Sequence, residues 1–192
     1  MRIIGLTGSI GTGKSASAAM FRALGVPVHD ADRAVHEIYA GPEAAPIILA
    51  FPTAVGPTGI DRRKLGDLVL GHPAELKKLE VLIHPLVSAH RQSFLARVQA
   101  NGGRIAVCDV PLLFETGLEK DMDAVVVASA PFQVQKARVM ARPGMTEERF
   151  NAIVKKQWPD EEKSKHAHLV IDTSRGFDEA RRQIISFLRA LP

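Results

Sequence analysis

Five short apolar runs punctuate the chain, at 3–7, 26–29, 105–109, 124–128 and 169–172, and stretches with helical periodicity separate them. The third and fourth runs are apolar at nearly every position instead of at alternate ones, as strands covered on both faces of a parallel sheet must be. Pro27 cannot donate to a ladder, so the second run predicts a short strand at the sheet edge. Strands alternating with helices predict a doubly wound α/β fold, a parallel five-stranded sheet with helices on both faces. Ligands of such sheets gather at the carboxyl ends of the strands.

Helical patterns fill the intervals. One runs over 16–24 and closes at Gly25; a terminal one over 178–191 puts Ile184, Ile185, Leu188 and Leu191 on a single face. The interval 30–104 is too long for a simple crossover. It is broken at Gly41-Pro42, Pro52 and Gly56-Pro57-Thr58-Gly59, and predicts helices over 62–70, 74–83 and 86–100, with His84-Pro85 as the boundary between the last two. A helical insertion of that size at the ligand edge is what a second substrate needs. A further pair of helices, over 131–157, turns at Arg142-Pro143-Gly144-Met145. Thr146 is its second N-cap, with Glu147 and Glu148 in the first turn, and the pair forms a candidate mobile lid.

The chemistry begins where the first strand ends. Gly8-Ser9-Ile10-Gly11-Thr12-Gly13-Lys14-Ser15 fills every specified position of GxxxxGK[ST], between a predicted strand and a predicted helix. That order of elements makes it a P-loop, a phosphate-binding turn. The glycines let the backbone wrap an anion, and several N–H groups point at it, helped by the positive end of the helix starting near Gly13. Lys14 adds a point charge for the β- and γ-phosphates, and the Ser15 hydroxyl is a ligand for Mg²⁺. The loop therefore predicts a bound nucleoside triphosphate with Mg²⁺.

Asp30-Ala31-Asp32 follows the second strand. Transfer to a hydroxyl needs a carboxylate to orient the acceptor and take its proton, but either aspartate could instead cap the helix that follows. Asp109 ends an apolar strand as a Mg²⁺-holding acid does, or closes the strand as an ordinary polar residue. Arg138 and Arg142, four apart, share one helix face. They either neutralise a transferring phosphoryl group or make a solvated face. The histidines, among them His29, His36, His166 and His168, lack the spacing of a metal site.

Composition narrows the partners. With 46% hydrophobic and 24% charged residues in 192, the chain has the make-up of one ordinary globular domain. A net charge of +4 suits polyanionic small molecules, while 5% aromatic residues supply little for stacking nucleic-acid bases. The single cysteine, Cys108, lies in an apolar run, which predicts a buried residue in a reducing, cytoplasmic protein. No apolar run reaches membrane-spanning length, and the first strand starts too early to leave room for a signal peptide. No obligate protein partner is expected.

Taken in order, these pieces resemble the dephospho-CoA kinases. The match runs through Gly5-Leu6-Thr7 and the P-loop, Asp30-Ala31-Asp32, Gly59-Ile60-Asp61-Arg62 with Leu65, and Leu79-Glu80 with Ile83-His84-Pro85. It continues through Val110-Pro111-Leu112-Leu113-Phe114-Glu115, Gln135 with Arg138 and Arg142, Gln157, and Val170-Ile171-Asp172. The resemblance implies transfer of the ATP γ-phosphoryl group to the ribose 3′-hydroxyl of dephospho-CoA. It implies Asp32, Lys14 and Arg138 as catalytic residues and Gly11, Thr12, Gly13, Lys14, Ser15, Ala16 and Arg142 around the nucleotide. Thr7, Asp32, Arg62, His84 and Leu113 would meet the acceptor. It also implies a nucleotide-binding core of 1–56 and 102–192 with a helical CoA-binding insertion at 57–101. Ala16 and Thr173 stand where many members carry Thr and Asn. Another small P-loop kinase, acting on a nucleoside monophosphate or a sugar acid, would share the loop and lid and differ in the insertion. A regulatory GTPase would need an NKxD run for guanine, and the chain has none.

Overall fold

The computed structural model describes residues 1–191. In chain order the elements begin with β1 (Arg2–Thr7), α1 (Lys14–Ala23), β2 (Val28–Asp30), α2 (Ala31–Ala40) and α3 (Ala45–Ala50). A small hairpin, β3 (Val55–Gly56) and β4 (Gly59–Ile60), precedes α4 (Arg62–Val69) and α5 (Pro73–Ala100). The remainder is β5 (Ile105–Asp109), β6 (Ala124–Ser129), α6 (Phe132–Met140), α7 (Glu147–Val154), α8 (Asp160–Lys165), β7 (Leu169–Asp172) and α9 (Phe177–Ala190).

The main sheet has the order β2-β5-β1-β6-β7. Strand β1 runs parallel to both β5 and β6, and β6 parallel to β7. The three inner strands are buried almost end to end, which explains their unbroken apolar sequences: helices cover both faces. Strand β2 lies at the edge, as Pro27 predicted, with the Pro27 carbonyl accepting from Val107 N at 2.9 Å. On one face Phe21 of α1 and Ile184 of α9, both fully buried, pack against Ile4, Leu6, Val126 and Ile171.

The chain divides into two compact units, residues 1–29 with 101 onward, and Asp30–Ala100. The helical unit therefore starts at Asp30, well before the expected boundary at 57. The reason is its core: Ile38, Tyr39, Ile47 and Phe51 share one apolar cluster with Leu65, Val69, Leu79 and Ile83. Ile38, Tyr39, Ala44, Ile47, Phe51 and Ala54 of segment 30–56 are buried there.

A second expectation fails in the same unit. His84-Pro85 is not a helix boundary, because α5 runs through it unbroken with Pro85 inside. Proline removes one N–H, which leaves the Val81 carbonyl without its helical donor. Val81 and Pro85 are both exposed, so water can reach that carbonyl. Leu79 and Ile83 before the proline and Leu86 and Val87 after it pack on the common core and hold the helix together.

Candidate functional site

The P-loop joins β1 to α1, and its backbone requires its glycines. Gly11 and Gly13 sit at φ of 84° and 89°, and a Cβ on Gly11 would lie 2.6 Å from the Gln135 carbonyl oxygen. Gly13 is also the N-cap of α1, and no side chain caps that helix. Its first-turn N–H groups are thus left for an anion, and the helix dipole favours one. Thr12 is fully buried with its hydroxyl donating to Ser9 O at 2.8 Å, so it shapes the turn and offers a ligand only its backbone. Ser15, in the first turn of α1, is exposed.

Lys14 reaches across to β5. Its Nζ lies 2.5 Å from Asp109 Oδ1, and the two side chains are 15% and 3% exposed. Asp109 therefore sits beside the P-loop, paired with the lysine of the motif. Cys108 next to it is wholly buried, as expected of a core residue.

Both arginines of the expected lid reach this region, by different routes. Arg138 on α6 donates to Thr173 Oγ1 at 2.9 Å, Thr173 O at 2.8 Å and Gly11 O at 3.3 Å. Arg142 lies beyond the end of α6, with its N bonded to Val139 O at 3.0 Å. The shared helix face read from the four-residue spacing therefore does not exist, because the helix stops at Met140. Both arginines nevertheless line one cavity of about 330 Å³ with Gly11, Gly13, Ala16 and Phe177. Thr173, which the sequence marked only as a departure, is the knot of this wall. Its hydroxyl donates to Thr12 O at 2.6 Å while accepting from Arg138. Phe177 was missed; it is 72% exposed and gives the cavity an aromatic rim. A lone exposed Phe at a helix start carries no sequence signal.

A larger cavity, about 690 Å³, is lined by Ser9, Phe132, Gln157, Trp158 and Asp160 among others, with no arginine or lysine. Burial pushes the Asp160 carboxyl above its ordinary value, against the Ser129 hydroxyl at 2.5 Å and the nearby charge of Lys163, which pull it down. An acid-lined cavity without a cation is no place for phosphates. The 330 Å³ cavity carries two arginines instead.

Two expected acceptor contacts do not present themselves to a ligand. Thr7 is fully buried, its hydroxyl donating to Pro111 O at 3.1 Å. Leu113 is fully buried as well, and a Cβ on Gly5 would come within 2.8 Å of it. They brace the loop after β5 against β1.

The remaining candidates belong to the helical unit. The Asp30 side chain accepts from Arg33 N at 3.0 Å and caps α2, which leaves Asp32 exposed and uncommitted in the first turn. Arg62 opens α4 behind its own cap, Asp61, and its charge opposes the upward effect of burial on the Tyr39 hydroxyl. His84 is exposed midway along α5. Among the described residues no group of three or more His, Cys, Asp or Glu side chains could hold a metal.

Known proteins share this architecture and this sequence. A family model described as dephospho-CoA kinase matches residues 2–179. A dephospho-CoA kinase of Mesorhizobium japonicum is 53% identical over 191 residues, covering 100% of this chain and 97% of the relative. One from Brucella melitensis is 50% identical over 192 residues, with 100% and 96% covered. A crystal structure of a Thermus thermophilus protein superposes with a TM-score of 0.87 at 35% identity, covering 98% of this chain and 96% of the other. With its P-loop, its arginine-lined cavity and full-length identity of this degree, the chain belongs to the dephospho-CoA kinase family.

Proposed function

We propose that this kinase transfers the γ-phosphoryl group of ATP to the ribose 3′-hydroxyl of dephospho-CoA, with the residue roles that follow. The observation that carries the nucleotide half is the uncapped N-terminus of α1 beside Lys14 and the arginine-lined cavity. The phosphates lie along the N–H groups of Gly11 to Ala16, and the base and ribose enter the space between Phe177 and the two arginines. Ala16 contributes its backbone alone. Lys14 follows charge onto the β- and γ-oxygens, and Arg138, whose planar fork already faces the loop, neutralises the transferring group.

The residues suit Mg²⁺. An exposed hydroxyl on Ser15 and a carboxylate on Asp109 are hard oxygen donors, and Mg²⁺ keeps most of its shell as water and substrate phosphate. Bound there, the ion would neutralise charge on the β- and γ-phosphates.

On the acceptor side, Asp32 orients the 3′-hydroxyl and takes its proton. Arg62 and His84, exposed on α4 and α5, supply polar contacts for dephospho-CoA, and the helical unit Asp30–Ala100 that carries them is its binding element. The helices α6 and α7 act as the lid. A cytoplasmic setting agrees with a single, buried cysteine. The test is a panel of acceptors with ATP and Mg²⁺: dephospho-CoA, a nucleoside monophosphate, gluconate and shikimate. Only dephospho-CoA should gain a phosphoryl group; preference for any of the others would overturn the assignment.

A further inference from the structure

A fully buried lysine that the mechanism above does not use leads to a second layer around the P-loop. Lys163, on α8, has no exposed surface, and its Nζ is 2.9 Å from Glu115 Oε1. Burying an ammonium is costly even when it is paired. The same Glu115 oxygen accepts from Trp158 N at 2.7 Å, and the Trp158 ring stacks on Phe114 with centroids 5.6 Å apart. Two residues on, Asp160 Oδ2 accepts from Ser129 Oγ at the end of β6. Residues 157–163 are therefore pinned to the loop after β5 and to the tip of β6.

What this anchoring delivers is one side chain. Gln157, the first residue of the pinned stretch, accepts from Ile10 N at 2.9 Å through Oε1. Ile10 lies inside the P-loop, in the arm Gly8–Ile10 that leads to the phosphate-facing turn. The other end of that arm is closed by bonds to Ser9 O from Thr12 N at 3.2 Å and from the Thr12 hydroxyl. Between them these bonds hold the loop in its wrapped form through protein contacts alone.

We propose that Gln157 is a positioning residue for the nucleotide phosphates: anchored through the Glu115–Lys163 pair, it bonds Ile10 N and pre-forms the P-loop. A loop ordered in advance spares the ligand the cost of ordering it, which appears as affinity. A neutral amide suits the task, since its oxygen accepts the bond without adding negative charge beside phosphates. Because Gln157 lies just past α7, the same bond ties the end of the lid to the loop.

The inference rests on the reading of Gly11–Ala16 as the nucleotide loop, and the test separates the two. Gln157→Met keeps length and removes the acceptor. Three quantities are compared with the wild type: ADP affinity by calorimetry, KM for dephospho-CoA, and hydrogen exchange of the Ile10 amide without nucleotide. Loss of one neutral hydrogen bond corresponds to about threefold to tenfold in affinity. Gln157→Met should bind ADP that much more weakly, expose the Ile10 amide to faster exchange and leave the KM for dephospho-CoA unchanged. Gln157→Glu should keep the Ile10 amide protected yet also bind ADP more weakly, because it adds charge. ADP affinity within twofold of wild type in Gln157→Met overturns the proposal, even if the melting temperature falls. Failure of the wild type itself to bind ADP overturns the nucleotide-loop reading on which it stands.

Discussion

At the scale of single residues, the two aspartates after β2 show how local geometry divides labour. Asp30 is committed to capping α2, while Asp32 is exposed in the first turn. The sequence could not separate them, because both lie within reach of the same helix start. Asp32→Asn keeps the shape and removes the proton acceptor, so turnover should fall by about 10²–10⁴ with ADP affinity unchanged. Asp30→Ala should instead lower stability by about 1 kcal/mol. Thermal melts and steady-state kinetics on the two proteins would expose a reversed assignment. Lys14 carries a second duty that the motif did not reveal. Its alanine variant leaves the Asp109 carboxylate buried without this cation, a loss of about 3–5 kcal/mol for breaking a buried pair. Lys14→Ala should therefore lose both turnover and melting temperature. Adding Asp109→Asn should restore much of the melting temperature and none of the turnover. Recovery of turnover in the double variant would mean that Lys14 acts only as a structural counter-charge.

At the scale of elements, the five strands of the main sheet were legible, whereas the hairpin β3–β4 and the short helices α3 and α8 were not, and α5 was read as two helices. The inner strands announce themselves by unbroken apolar runs, since burial on both faces leaves no position free to be polar. Helix α5 hid behind Pro85, because a local rule says proline ends a helix while packing on either side of it overrides the rule. A proline inside a helix is destabilising by about 3 kcal/mol relative to alanine. Pro85→Ala should thus raise the melting temperature. If His84-Pro85 shapes the acceptor site, it should also raise the KM for dephospho-CoA; a more stable enzyme with unchanged KM would remove the pair from that site. At the start of α8, the raised pKa of Asp160 gives a pH signature. A carboxyl that holds its proton more tightly when folded disfavours folding as pH rises from the ordinary value of 3.8 through the raised one. Asp160→Asn has no such proton. Its stability relative to wild type should be flat below the ordinary value and climb through that window. A difference independent of pH would show that burial does not control this group.

At the scale of the whole chain, the P-loop was readable because it is contiguous: glycines, lysine and hydroxyl lie within Gly8–Ser15. The rest depends on long-range meetings that periodicity cannot encode. Thr173 meets Thr12 and Arg138, Gln157 meets Ile10, and Lys163 meets Glu115, each pairing residues far apart in sequence. The start of the helical unit at Asp30 was likewise hidden, because it is set by Ile38, Tyr39 and Ile47 sharing a core with α4 and α5.

The central claim is a transfer between two named atoms, and it can be followed directly. The purified protein is given Mg²⁺, dephospho-CoA and ATP labelled only in the γ-phosphoryl group, and the products are resolved by mass and fragmentation. The account predicts that the label appears in CoA on the 3′-phosphate, with unlabelled ADP in equal amount, and that an acceptor analogue lacking the 3′-hydroxyl takes none. Label released only as inorganic phosphate, or attached to any position that survives in the 3′-deoxy analogue, would contradict it.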